Sequence, residues 1–153
     1  MHGWFVLAHV IGAALFILSH AVSMAAAFAL RARPDRQRAT ALLRRSQAAV
    51  GVTYLGLILV LVGGIGAAFT GSWWGSLWLW AAIAVLAFVI TVMYTMGTSH
   101  YAKLRTALGM KGDAAAGDAE VTALMASPVP YQLALVGGIG LAVILWLMLA
   151  KPF

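Results

Sequence analysis

Charged residues are missing from three long stretches of the chain, 1–30, 46–102 and 121–150, when histidine is taken as neutral. Because a charged side chain is costly in hydrocarbon, and about 20 apolar residues span a bilayer as a helix, the first and last stretches each predict one transmembrane helix. The middle stretch is too long for one crossing, and the turn-forming Thr-Gly-Ser at 70–72 interrupts it. It therefore predicts two helices.

The predicted fold class is all-α, a four-helix transmembrane bundle that forms a single membrane domain over residues 1–153. Backbone groups in lipid must be satisfied within their own segment, so helix is the form we expect for each span. The helices are predicted at about residues 3–30, 48–69, 77–99 and 130–150. In the first linker, Asp35 is placed to cap a short helix that leads into the second span.

The basic residues predict the orientation of the chain in the membrane. The first linker contains six arginines (Arg31, Arg33, Arg36, Arg38, Arg44 and Arg45), and the third linker contains Lys103, Arg105 and Lys111. The opposite side has only Lys151. By the positive-inside rule, both longer linkers are cytoplasmic, and the N-terminus and C-terminus are outside.

Composition agrees with a membrane protein. Of the 153 residues, 63% are hydrophobic and 9% are charged, against about 25% charged in a soluble domain. The net charge of +6 comes mainly from the predicted cytoplasmic linkers, so the expected partner is the lipid bilayer and not nucleic acid. We expect a multi-pass protein of the bacterial cytoplasmic (inner) membrane.

The absence of cysteine narrows the possible chemistry. It excludes disulfides, thiolate zinc sites, cysteine-ligated iron–sulfur clusters and thioether-attached c-type haem. Any metal site in this chain must use histidine, methionine, tyrosine or carboxylate ligands.

Histidines on the first helix are the main candidates for chemistry. At 100° per residue, His2, His9 and His20 fall within about 20° of one another. His9 and His20 are eleven residues apart, hence ~16 Å along the helix axis. Imidazoles at two depths on one helix face are a common way to hold b-type haem or a metal in a bundle. His9 and His20 are therefore the predicted cofactor-binding residues.

A second set of residues predicts a metal site in the inner half of the membrane. Met93, Met96 and His100 share one face of the third helix, and Met24 follows His20 by one turn on the first. Counted from the charged flanks, Met93 matches the depth of His20, and Met96 matches Met24. Thioether and imidazole ligands suit Cu(I), and a His/Met pair suits haem iron. The alternative is that the methionines fill the core and the histidines bond to Ser or Thr hydroxyls, with no cofactor.

The hexapeptide Leu-Val-Gly-Gly-Ile-Gly occurs twice, at 61–66 and 135–140. A duplicated helical hairpin is one interpretation, but the two copies lie at different depths. Small residues that let helices pack closely explain both copies more simply. On that interpretation Gly64 and Gly138 face neighbouring helices.

Two segments carry a family resemblance. Residues 7–13, Leu-Ala-His-Val-Ile-Gly-Ala, resemble the LHVLGA opening of small bacterial four-helix membrane proteins of unknown function. Residues 70–80, Thr-Gly-Ser-Trp-Trp-Gly-Ser-Leu-Trp-Leu-Trp, resemble the Gly/Trp turn before the third helix of that family. The resemblance covers roughly the first 105 residues. It extends distantly to CopD-type copper-resistance domains and HemJ-type protoporphyrinogen oxidases, and it implies that His9 is the matching copper- or haem-binding position.

Three functions remain open at this point. One is a redox or metal-handling protein that binds haem or copper. Another is a cofactor-free accessory subunit that packs against other membrane subunits or forms a homo-oligomer. The third is a small-molecule carrier, which the lack of carboxylate, lysine or arginine inside the predicted spans disfavours. The sequence does not decide whether the protein is an enzyme.

The orientation is testable because the chain contains no cysteine of its own. We expect a cysteine introduced at Ser72 to react with a membrane-impermeant thiol reagent in intact cells. We expect one at Arg38 or Gly112 to react only after permeabilisation. Labelling of the Arg38→Cys variant from outside intact cells would contradict the predicted topology.

Overall fold

The computed structural model describes residues 1–112 and 114–153, and its regular secondary structure is entirely helical over these residues. The long helices are α1 (His2–Arg31), α2 (Arg36–Thr70), α3 (Leu77–Ala107) and α5 (Val129–Ala150). A short α4 (Asp118–Met125) precedes α5, and one 3₁₀ turn (Trp73–Gly75) lies between α2 and α3. The predicted all-α fold class is confirmed.

Four helical segments in the described part of the chain are long and apolar enough to cross a membrane: α1, α2, α3 and the segment Asp118–Ala150 that contains α5. Large apolar side chains on them are exposed, among them Leu18, Ile58, Ile139 and Leu149. Exposed aliphatic side chains in such numbers are compatible with contact to lipid. The protein is a multi-pass membrane protein with four spans, as predicted.

The long helices continue well past the predicted ends. α2 begins at Arg36 and not near residue 48, and α3 ends at Ala107 and not near residue 99. The prediction stopped at the first charged residues, but a helix can carry charge once it has left the hydrocarbon. The 35 residues of α2 measure about 52 Å, against about 30 Å for the hydrocarbon core. Its arginine-rich first turns therefore extend beyond the apolar layer.

Asp35 begins α2 as the sequence predicted. Its Oδ1 accepts a hydrogen bond from the backbone N–H of Arg38 at 2.8 Å, and its carbonyl accepts one from Ala39 at 2.9 Å. A carboxylate at this position satisfies a helix N–H group that would otherwise lack a partner. The turn before it is tight, because Arg33 has a left-handed φ of 52°.

The chain forms two compact units. One contains Met1–Ala26 and Arg44–Ser76, and the other contains Ala27–Leu43 and Leu77–Phe153. The first unit thus holds most of α1 and α2, and the second holds α3, α4 and α5. A single membrane domain over residues 1–153 stays a prediction.

In the first unit the backbones of α1 and α2 touch at two glycines of α2. A Cβ at Gly56 would lie 2.7 Å from the backbone nitrogen of Phe16, and a Cβ at Gly63 would lie 2.5 Å from that of His9. The carbonyl oxygen four residues earlier on α1 is within 2.9 Å of the first position and 2.8 Å of the second. Each glycine, seven residues from the other, thus lies against a backbone hydrogen bond of α1. No residue with a side chain fits there without moving a backbone.

In the second unit α5 packs on α3 through two glycines of the repeated hexapeptide. A Cβ at Gly137 would lie 3.5 Å from the sulfur of Met93, and one at Gly140 would overlap the side chain of Val89. Gly138 is exposed, and within the described residues no heavy atom lies within 4 Å of its Cβ position.

The prediction for Gly64 is confirmed and the one for Gly138 is wrong. A Cβ at Gly64 would lie 3.0 Å from the ring of His9, so Gly64 faces α1. On α5, however, residues 137 and 140 are one turn apart and face α3, which rotates Gly138 about 100° away from the contact. The same hexapeptide therefore packs through different glycines in its two copies.

The short helix α4 docks on an apolar cluster in the second unit. Val121 and Met125 are both 4% exposed. The buried cluster they join consists of Leu30, Ala39, Leu43, Leu104, Ala107, Val121 and Met125. α4 lies within the predicted third linker, and its eight residues would form only a marginal helix on their own. Tertiary burial supplies the stability that local propensity lacks.

Two arginines hold the two ends of α4. Arg36 forms an ion pair with Asp118 at its start, at 2.8 Å. Arg31 donates to the carbonyl of Ala126 just past its end, at 3.1 Å, and its guanidinium lies 4.5 Å from the centre of the Tyr131 ring. Arg31 and Arg36, which contribute to the positive charge that predicts the orientation, therefore also hold α4 in place.

The glycine contacts predict that the same substitution, glycine to alanine, changes thermal stability at position 63 but not at position 138. Gly63→Ala should lower thermal stability by about 1–3 kcal/mol, the usual cost of overpacking, because the new methyl meets the backbone of His9. Gly138→Ala adds the same methyl to open space and should leave the thermal midpoint in detergent unchanged. Equal midpoints for both variants would contradict the described α1–α2 contact.

Candidate functional site

The imidazole of His9 is held by a backbone carbonyl of α2. Its Nδ1 lies 2.8 Å from the carbonyl oxygen of Val60, and the side chain is half-buried. A carbonyl oxygen only accepts hydrogen bonds, so Nδ1 carries the proton and donates it. A neutral imidazole has a single N–H, so in the neutral form of His9 the lone pair is on Nε2.

Two adjacent glycines make this hydrogen bond possible. Inside α2 the Val60 carbonyl already accepts the backbone N–H of Gly64, and a side chain at that residue would crowd the approach to the oxygen. A Cβ at Gly64 would lie 3.0 Å from Nδ1 of His9 and 3.3 Å from its Cε1. The backbone of His9 packs against Gly63, and the missing side chain of Gly64 leaves room for the His9 ring. Both glycines belong to the repeated hexapeptide, but their link to His9 is not visible in the sequence.

His20 also donates a hydrogen bond from Nδ1, but its acceptor lies on its own helix. Its Nδ1 lies 2.9 Å from the carbonyl oxygen of Phe16, and its ring packs on the Phe16 ring with centroids 4.3 Å apart. Ser19 also donates to that carbonyl, at 2.9 Å, and Thr53 Oγ1 is 2.8 Å from Ser19 Oγ. In the neutral form of His20, Nε2 is again the nitrogen with the lone pair.

Neither His9 nor His20 bonds to a Ser or Thr hydroxyl, which was the alternative considered from sequence. That description applies to His2, whose Nδ1 is 2.8 Å from Thr70 Oγ1 and whose ring meets the edge of Trp73 at 5.2 Å. Because Thr70 in turn donates to the Gly66 carbonyl, its oxygen accepts from His2. His2 therefore joins the start of α1 to the end of α2.

The candidates on α3 lie in the second unit. The Met93 sulfur faces Gly137 of α5, as a core-filling methionine would. Met96 is half-buried. His100 is only 9% exposed, and its ring packs T-shaped against that of Tyr101, with centroids 5.0 Å apart.

The predicted inner metal site divides between the two units. His20 and Met24 belong to the first unit, and Met93, Met96 and His100 belong to the second. Their convergence on one ion stays a prediction. Among residues 1–112 and 114–153, no three His, Asp or Glu side chains come together as a metal-binding group. The donors that remain are single imidazoles and thioethers.

A neutral imidazole that donates a hydrogen bond from Nδ1 to a carbonyl can bind a metal ion through Nε2. Metal-bound histidines usually donate their second N–H to a backbone carbonyl or carboxylate, which fixes the tautomer and raises ligand basicity. His9 and His20 both have this arrangement. They fit an axial position on haem iron, which needs one or two protein ligands, better than a zinc site, which needs three or four.

Comparison with known proteins gives no match. No protein-family model matches the chain, and no curated protein or solved structure matches it. The similarity to CopD-type and HemJ-type domains therefore stays a prediction, carried by the residues around His9.

Proposed function

We propose that this is a redox protein of the bacterial inner membrane that binds b-type haem through imidazoles of α1. The observation that carries the proposal is the hydrogen bond from His9 Nδ1 to the Val60 carbonyl, 2.8 Å long. A second helix thereby orients the imidazole, and in the neutral ring the lone pair is on Nε2. Copper in place of haem is the related metal-handling alternative, supported by the same imidazoles.

His9 is the stronger ligand of the two. Its partner lies on another helix, so the ring is fixed by tertiary structure, whereas His20 bonds only to its own helix. The resemblance to haem- and copper-binding domains also matches His9. His20 lies ~16 Å away along the axis, so it belongs to a second ligand position at another depth and not to the same iron.

The residues around His9 have separate tasks in this proposal. His9 would donate Nε2 to the iron, and the Val60 carbonyl would hold the proton on Nδ1 and keep the imidazole from rotating. Gly63 and Gly64 would act as positioning residues by allowing the close approach of α1. Bound haem would supply one-electron chemistry.

A cofactor-free accessory subunit is the second candidate, and one observation favours it. The hydrogen bond of His9 also joins α1 to α2 without any ligand, as does the bond between His2 and Thr70. A subunit whose histidines serve only to connect helices would need nothing more. It predicts co-purification at fixed stoichiometry with another membrane protein.

An optical spectrum with metal analysis separates these proposals. The full chain, produced in cells supplied with a haem precursor and purified in detergent, should show a Soret band with about one haem per chain. His9→Ala should lose the band, because His2, the other imidazole that bonds to α2, lies at the start of α1 and not at the position of His9. His2→Ala, which removes a histidine from the same helix face, is the matched control and should keep it.

Each remaining outcome has a defined meaning. A wild-type chain without haem, but with copper that His9→Ala removes, would support the metal-handling alternative. A chain with neither group would leave the accessory-subunit proposal. A Soret band of equal intensity in wild type, His9→Ala and His20→Ala would show that the α1 imidazoles are not the ligands.

A further inference from the structure

The short helix α4 is attached to the second unit by few buried side chains. Of its eight residues, Val121 and Met125 are buried and five others are exposed. Segments with few buried apolar contacts open locally at a lower free energy than the core of a fold. A helix of this length is also marginal once it has lost its packing. We therefore expect α4 to detach and to lose its helical structure in one step.

The contacts at the two ends of α4 are electrostatic. Arg36 Nη2 lies 2.8 Å from Asp118 Oδ1, and these two side chains are 38% and 90% exposed. Arg36 also donates to the carbonyl of Ala116, and Arg31 donates to the carbonyl of Ala126. Salt screens exposed charges much more than buried ones. The ion pair is therefore the part of the attachment that depends most on ionic strength.

The surface under α4 is apolar. Val121 and Met125 pack in one buried cluster with Leu30 of α1, Leu43 of α2 and Leu104 of α3. The three leucines are 3%, 2% and 1% exposed. They lie near the ends of the long helices, on the side of the membrane that is predicted to be cytoplasmic. Detachment of α4 would bring this apolar surface into contact with water.

We infer that α4 is a flap that opens and closes independently of the membrane-spanning helices, and that the ion pair between Arg36 and Asp118 controls how often it opens. The flap and the surface under it all belong to the second unit. None of these residues is a ligand in the haem proposal. Ionic conditions on the predicted cytoplasmic side thus set how often the apolar surface is exposed.

The test is the rate at which a buried cysteine on the flap reacts with a water-soluble thiol reagent. The chain has no cysteine, so Val121→Cys provides a single thiol at a position that is 4% exposed. Ala123→Cys, at an exposed position of the same helix, is the matched control for the intrinsic rate of the reagent. In the purified chain in detergent, Val121→Cys should react much more slowly than Ala123→Cys.

The salt dependence of this rate tests the role of the ion pair. Raising NaCl from ~0.05 M to ~0.5 M shortens the screening length and should leave the rate of Ala123→Cys unchanged. The rate of Val121→Cys should rise about two- to fivefold, the range expected for loss of an exposed ion pair.

Two acidic residues in the first turn of α4 isolate the ion pair from the helix dipole. Asp118 and Glu120 both lie in that turn, so Asp118→Asn and Glu120→Gln remove the same charge from the helix N-terminus. In the Val121→Cys chain, Asp118→Asn should raise the rate at low salt to about the high-salt rate and remove most of the salt dependence. Glu120→Gln should leave the salt dependence in place.

The contrary outcomes are equally distinct. Equal rates for Val121→Cys and Ala123→Cys would show that α4 is not docked and would overturn the inference. A salt-independent rate for Val121→Cys, or identical effects of Asp118→Asn and Glu120→Gln, would overturn the role of the ion pair. Hydrogen exchange of α3 amides at the same rate as α4 amides would assign the opening to global unfolding. The haem spectrum does not depend on these variants, so failure here leaves the proposed function standing.

Discussion

The direct contact between the backbones of α1 and α2 determines how these two helices pack. It also determines which ring nitrogen of His9 donates a hydrogen bond to α2. Neighbouring helices usually pack with axes 8–10 Å apart and side chains between them. Here Gly56 and Gly63 remove those side chains at two points, seven residues apart, and α1 lies against them. The Val60 carbonyl consequently comes within 2.8 Å of the His9 ring. The interaction that brings the helices together thus also selects which nitrogen of His9 carries the proton.

The four spans and the all-α class could be predicted from sequence because the exclusion of charge from hydrocarbon is a strong constraint. Their ends could not, because a helix such as α2 continues past the bilayer, where Arg36 and Arg38 carry no penalty. Local chemistry also sufficed for the cap at Asp35. The orientation of Gly138 was wrong because two copies of one hexapeptide have the same propensity, and only the neighbouring helix decides which glycine faces it.

The sequence indicates which residues are candidates for the site, but it does not indicate their geometry. Helical spacing places His9 and His20 on one face, but a tautomer depends on which carbonyl lies opposite, and that requires the fold. The role of Gly64 likewise appears only when the ring of His9 is seen beside it. For the methionines, helical spacing and observed contacts give different information. Met93 shares a face with His100, and the structure adds that its sulfur lies against Gly137, while its part in a metal site stays a prediction.

The protonation of His9 is the most direct test of this account. Imidazole ¹⁵N chemical shifts of the ¹⁵N-histidine-labelled chain in detergent, with the His9 resonances assigned by their loss in His9→Gln, report the tautomer without any cofactor. A hydrogen bond to Val60 requires a protonated Nδ1, and in the neutral ring it therefore requires the Nδ1–H tautomer. An Nε2–H tautomer, or an imidazole that exchanges freely between tautomers, would show that the carbonyl does not hold His9 and would contradict the account.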